Sequence, residues 1–142
     1  MRMKTDTTIQ QGTLARHERI HGSLVFPNLL KLAAEADGLK WEPFHPGVEI
    51  HWIYRVEGQG ASAALIRFQP GSSVPLHEHR GFEHIYILSG SQSDENGPLH
   101  TGSLMVHPPG TRHSISSAEG CLALAIYEKP AKFIGDNGGG IS

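Results

Sequence analysis

Cysteine is almost missing from this chain: Cys121 is the single one in 142 residues, which excludes an internal disulfide and leaves the redox compartment unmarked by bridges. It reads as a small buried hydrophobe rather than a nucleophile or ligand. There is no excess of positive charge either. Twelve Lys and Arg stand against 14 Asp and Glu, for a formal charge of −2 and a pI near 6.5, so nothing suggests nucleic acid. No apolar run approaches 18 residues, and the opening Met1-Arg-Met-Lys-Thr-Asp-Thr-Thr lacks the apolar core of a secretory signal. The expectation is a cytoplasmic protein without a membrane span. At 142 residues the chain is of ordinary single-domain size and can bury a core without disulfide staples.

What is present is β punctuation. Residues 1 to about 24 are polar and weakly patterned and read as an arm. Pro27-Asn28 followed by Leu29, Leu30, Leu32, Ala33 and Ala34 and then by Asp37-Gly38 predicts a short helix between the proline and the glycine. Beyond Gly38, apolar β-rich runs alternate with turn signals: Val48 to Val56, Ala61 to Phe68, Phe82 to Leu88, Ser103 to Val106 and Cys121 to Tyr127. The pattern predicts an antiparallel sandwich or barrel. Its expected division is an arm with a short helix over 1–40, a β-barrel over 41–132 and a flexible tail over 133–142.

Two stretches carry chemistry. The first, Gly71 to Gly90, contains His77-Glu78-His79, then Arg80-Gly81, then Glu83; the second, Gly102 to His113, contains Pro108-Pro-Gly110 and ends on His113. On a strand, residues two apart share a face about 7 Å apart, so His77 and His79 can reach one ion. Alternation in the next run places Glu83 with Ile85 and Ile87, opposite Phe82, His84, Tyr86 and Leu88. A carboxylate sharing a face with two isoleucines needs a partner, and a metal ion beside two imidazoles supplies one. His113 is the expected fourth ligand, from a separate strand. Three imidazoles, one carboxylate and no thiolate suit a divalent Fe, Mn, Ni, Co or Zn ion. Four ligands from a barrel wall leave one or two positions open to water, O2 or a chelating substrate.

These spacings resemble the cupin superfamily. Its first motif is met at Gly71, His77, His79, Glu83 and Gly90, and its second at Gly102, Pro108, Gly110 and His113, with Ser117 where the family usually has Asn. Within the superfamily the chain is similar to the ChrR-like cupins, through Trp41-x-Pro43, Pro46-Gly47-Val48, Ser93-Asp94-Glu95-Asn96-Gly97 and Gly120-Cys121. The resemblance covers roughly residues 41 to 130. It implies an all-β fold: a single-domain double-stranded β-helix, or jelly-roll barrel, with a short N-terminal helix.

The resemblance implies two functions. One is a non-haem metal-dependent dioxygenase acting on a small enolisable or phenolic substrate, with Trp41, Trp52, Tyr54 and Phe82 lining an apolar pocket, Arg67 or Arg112 holding an anionic oxygen and Glu83 moving a proton. The other is a zinc-binding sensory module like that of ChrR anti-sigma factors. Residues 1–40 contain no cysteine, so the sigma-binding half is expected to be absent. Open edge strands and the arm favour a homodimer.

The remaining histidines are expected to play lesser parts: His84 and His107 as partly buried hydrogen-bonding residues, His45, His51 and His100 at the surface or a pocket rim. His17-Glu18-Arg19-Ile20-His21 matches the zinc-peptidase string, which works only on a stable helix. Gly22 follows at once and no apolar stripe flanks it, so it reads as a solvated arm.

Overall fold

The computed structural model of the protein describes residues 22–58 and 60–135 and, for the backbone alone, 7–9 and 18–20. Among the described residues thirteen strands are formed: β1 (Thr7–Ile9), β2 (Glu18–Ile20), β3 (Ser23–Val25), β4 (Glu42–His45), β5 (Val48–Val56), β6 (Ser62–Phe68), β7 (Ser72–Glu78), β8 (Glu83–Asp94), β9 (Gly97–His100), β10 (Leu104–His107), β11 (Arg112–Ser117), β12 (Cys121–Tyr127) and β13 (Lys132–Phe133). Helix α1 (Leu29–Ala34) is followed by a 3-10 turn, Ala36–Gly38. Asn28 begins α1 by accepting the Lys31 amide on its side chain at 3.0 Å. Among the described residues no helix is long and apolar enough to cross a membrane.

The main sheet runs β1-β5-β6-β12-β8-β11-β7-β13, with β4 added on β5 and β9 and β10 on β8. This curled all-antiparallel sheet is the jelly roll expected above. Strand β8 belongs to both halves: its first residues pair with β12 and β10, its last with β9 and β11. The bend falls near Gly90, whose φ is +74°.

Period-2 alternation divides the apolar residues between two clusters. Val48, Ile50, Ala64, Ile66, Ile85 and Ile87 fill the barrel interior. Ile53, Leu65, Leu88 and Leu122 face outward under α1, packed with Leu32 and Leu39. Burying each large aliphatic side chain contributes roughly 1.5–3 kcal/mol. Cys121 is buried in the interior cluster, and burial, with Glu119 nearby, pushes its thiol up to about 12, in keeping with an inert hydrophobe.

The described middle of the zinc-peptidase string is strand rather than helix. Glu18–Ile20 runs extended as β2, paired with β3; His17 and His21 lie outside the described residues.

Candidate metal centre

The four expected ligands meet inside the barrel. His77 lies on β7 directly opposite His113 on β11, Glu83 opens β8, and His79 sits one residue past the end of β7. The turn after β10 fixes that last position, because the Gly110 amide donates to the His79 carbonyl at 2.7 Å and the His79 amide to Thr111 O at 2.9 Å. Each residue offers one ligand atom such that all four atoms lie within 4.8 Å of one another. All four side chains are buried, none more than 4 % exposed.

The ring nitrogens facing away from the centre determine which nitrogen faces it. His77 Nδ1 is 2.8 Å from the Pro75 carbonyl, which only accepts, so Nδ1 carries the proton and Nε2 keeps a lone pair. Thr111 donates its hydroxyl to Pro108 O at 2.7 Å and therefore accepts from His79 Nδ1 at 2.9 Å, with the same result. His113 Nδ1 donates to Asp94 Oδ2 at 3.0 Å. The other Asp94 oxygen accepts the Asn96 amide at 2.7 Å, so one buried carboxylate both shapes the β8–β9 turn and orients a ligand. The three imidazoles thus present Nε2 lone pairs to one point.

Most of the converging atoms lack other partners. His79 Nε2, His113 Nε2 and Glu83 Oε2 are buried without an aligned hydrogen bond among the described residues. His79 Nε2 and Glu83 Oε2 lie 3.0 Å apart but are not aligned as donor and acceptor. Converging lone pairs with no shared proton are what a cation between them requires. Each such group left unmatched costs about 1–3 kcal/mol, so the donor set fits a metal ion. Replacing Thr111 with Val should leave the fold intact and weaken metal affinity about 10- to 100-fold, measurable by competition with a chromophoric chelator.

Burial drives the electrostatics. It pushes His77 from its ordinary 6.5 down to about 4, past the opposing pull of the Pro75 carbonyl, with His113 adding to the fall. His107 is likewise lowered to about 4 by burial and by His113 and His79. Burial would raise the Glu83 carboxyl, but His79, His77 and His113 outweigh it and hold it below the ordinary carboxylate value. In the metal-free protein the unfolded chain therefore binds protons near pH 6.5 that the folded chain refuses until about 4. Stability should be level above pH 6.5, fall by a few kcal/mol as pH drops from 6.5 to 4, and fall further as Glu83 takes up its proton. Urea midpoints of chelator-treated protein across pH 4–8 check this.

His107 sits closer to the centre than the sequence suggested. Its ring stacks on His79 at 4.5 Å and lies 4.3 Å from His113, and its Nε2 is buried without a partner among the described residues. With Asp94 and His113 it forms a second cluster of possible ligand atoms, but His113 cannot serve that cluster without giving up its bond to Asp94. Ser117, in place of the usual Asn, is buried and donates to Ser91 O at 2.7 Å, which ties β11 to β8.

Beside the cluster, with His77 and Glu83 in its wall, lies a small interior cavity with about 20 Å³ open to the centre of a water-sized sphere. His77, Glu83, Phe44, Phe68, Tyr127 and Phe133 are among its walls. The aromatics expected there lie elsewhere. Trp52 is buried in the interior cluster but is not in the cavity wall, Trp41 and Tyr54 pack on the outer face, and Phe82 is 42 % exposed. A register shift between Trp52 and Tyr54 separates their faces. Neither arginine reaches the cavity: Arg67 pairs with Asp37 at 2.7 Å and Glu49 at 2.8 Å, and Arg112 with Glu78 at 3.0 Å. His51, expected at the surface or a pocket rim, is 1 % exposed, with Nδ1 2.8 Å from Lys40 O; His84 is half-buried and His100 exposed.

The chain has relatives. A Cereibacter sphaeroides protein whose name proposes it as a dimethylsulfoniopropionate lyase, DddL, is 31% identical over 65 residues, 44% of this chain and 28% of that protein. The chain thus spans little more than a quarter of that relative's length. The crystal structure of Rhodobacter sphaeroides SigE with the anti-sigma ChrR matches at 26% identity and a TM-score of 0.56, covering 63% of this chain and 48% of that one. An acetylacetone dioxygenase from Acinetobacter johnsonii matches at 19% identity and a TM-score of 0.63, covering 72% and 76%, a likeness of fold. Residues 31–130, which hold all four converging side chains and the barrel around them, match the ChrR cupin-like domain, and the chain belongs to that family.

Proposed function

We propose that His77, His79, Glu83 and His113 hold one divalent metal ion and that the protein is a non-haem metal-dependent dioxygenase acting on a small enolisable or phenolic molecule. The observation that carries this is a cluster of buried, partnerless ligand atoms beside a cavity that Glu83 and His77 help to wall, since a structural ion needs no open side. When bound, the ion supplies Lewis acidity toward an enolate or phenolate and, if iron, electrons for O2. The chain supplies the rest. Glu83, the one carboxylate in the cavity wall, would take the enol or phenol proton once its oxygen is released from the ion, and the Tyr127 phenol lines the same wall, held protonated by burial and by Glu83. The apolar remainder, Phe44, Ile66, Phe68, Val74, Ile85 and Phe133, excludes bulk water.

A second reading is favoured by the family itself: a zinc-holding sensory module like that in the ChrR complex. One experiment separates the two. Protein purified without added metal is analysed for elements, as wild type and as His77→Ala/His79→Ala, and assayed for O2 uptake with diketones and phenolic ketones and for cleavage of dimethylsulfoniopropionate. Stoichiometric iron, manganese or nickel, absent from the variant, with O2 uptake is the expected result. Firmly held zinc without uptake would transfer the assignment to the sensor, cleavage without O2 would transfer it to a lyase, and metal in neither sample would remove the site.

A further inference from the structure

The interior cavity is too small for any diketone. A volume of about 20 Å³ on this measure holds a single water molecule. Outside it lies an open groove of about 540 Å³ on the same measure, lined by Pro43 to Glu49 and Gln69. One residue lines both spaces, the half-buried Phe44. It is also the residue that the β4–β5 register skips: Pro43 pairs with Glu49 and His45 with Val48, so Phe44 sits on a bulge. Bulges re-aim side chains and cluster beside active sites. Here the ring meets Phe133 edge-on at 6.3 Å, and Phe133 lies 5.2 Å from the His77 ring. From groove to centre the order is therefore Phe44, Phe133, His77.

We propose that Phe44, backed by Phe133, is the residue that sets ligand size at the metal centre. With the ring inward the centre admits only species of water or O2 size. A larger ligand reaches it by turning Phe44 out into the groove, which joins the two spaces. The walls of the cavity beyond Glu83 and the metal-facing imidazole are apolar except for the Tyr127 hydroxyl, so the ligand that fits is compact and carries no charge beyond its metal-binding oxygens. This rests on the metal-binding reading above.

The test uses binding rather than turnover. Cobalt(II)-loaded wild type, Phe44→Ala, Phe44→Leu and Phe44→Trp are titrated without oxygen with azide, 2,4-pentanedione and 1-phenyl-1,3-butanedione, following the visible cobalt bands. Azide should bind all four proteins alike. Phe44→Ala should bind the phenyl diketone at least about tenfold tighter than wild type, Phe44→Leu should fall between, and Phe44→Trp should weaken both diketones about tenfold. If Phe44→Ala does not fold, the Leu and Trp variants decide by the same criterion. A ratio of the two diketone affinities that stays within about twofold across the folded variants overturns the role of Phe44 and leaves the metal site standing. Failure of wild type to take up cobalt removes the metal reading, and this one with it.

Discussion

Stripping its metal with a chelator should lower the melting temperature of this protein by about 10 °C, and returning one equivalent of the right divalent ion should restore it. An ion present at 100 to 1,000 times its dissociation constant stabilises the folded chain by about 2.7–4.1 kcal/mol, provided it binds the unfolded chain weakly. For a domain of this size each kcal/mol moves the midpoint by about 3–4 °C. The effect has a local cause: without the ion, His79 Nε2, His113 Nε2 and Glu83 Oε2 stay buried and unmatched. His79→Ala and His113→Ala should melt at one temperature with or without metal, because the shift measures coordination rather than general salt effects. Scanning Fe, Mn, Co, Ni and Zn in turn ranks the ions. A wild-type protein whose midpoint ignores both chelator and every ion would disprove the centre.

Gly90→Ala should be among the most damaging single substitutions available, costing about 3–5 kcal/mol. Two causes add. Gly90 has φ +74°, and a side chain built there would collide with the Gly120 carbonyl oxygen, a backbone atom that cannot rotate away. The register Cys121↔Gly90 shows why the approach is so close: β12 starts beside the bend that carries β8 from one half of the barrel to the other. Gly97→Ala is the control. Its φ is +112°, but nothing lies within 4 Å of the added carbon, so the backbone term acts alone, about 1–2 kcal/mol. Urea unfolding of the three proteins with unchanged m-values measures both losses. Equal losses would show that the bend tolerates a side chain.

Much of this was legible in the chain and some was not, for definite reasons. Period-2 alternation put Glu83 with Ile85 and Ile87, and those three share the barrel interior. The runs Val48 to Val56 and Cys121 to Tyr127 are strands to the residue. Alternation, however, says only that neighbours face opposite ways, not which face is inside or where the count slips. Tyr54 and Phe44 sit at slips, and no local signal marks either. The helpers of the centre were hidden by distance along the chain. Asp94 reads as a turn residue, and its bond to His113 spans 19 positions; Thr111 reads as part of a Pro-Pro-Gly turn, 32 positions from His79. His107 reads as an ordinary hydrogen-bonding residue, because the register that sets it opposite Glu83 is a property of the closed sheet.

Strand β8 begins with a proposed ligand, Glu83, and ends with Asp94, which orients another proposed ligand, His113. The order of events during folding follows from this. Glu83 and Asp94 stand at opposite ends of a 12-residue strand whose pairing partners include β11 and β12, both later in the chain. The ligand pocket therefore does not exist until the last half of the chain has been added and the sheet has curled, a slow step dominated by distant pairings. An ion held by all four side chains would have to find β11 already in place, and the rate of its capture by the full set would report closure of the sheet rather than collapse.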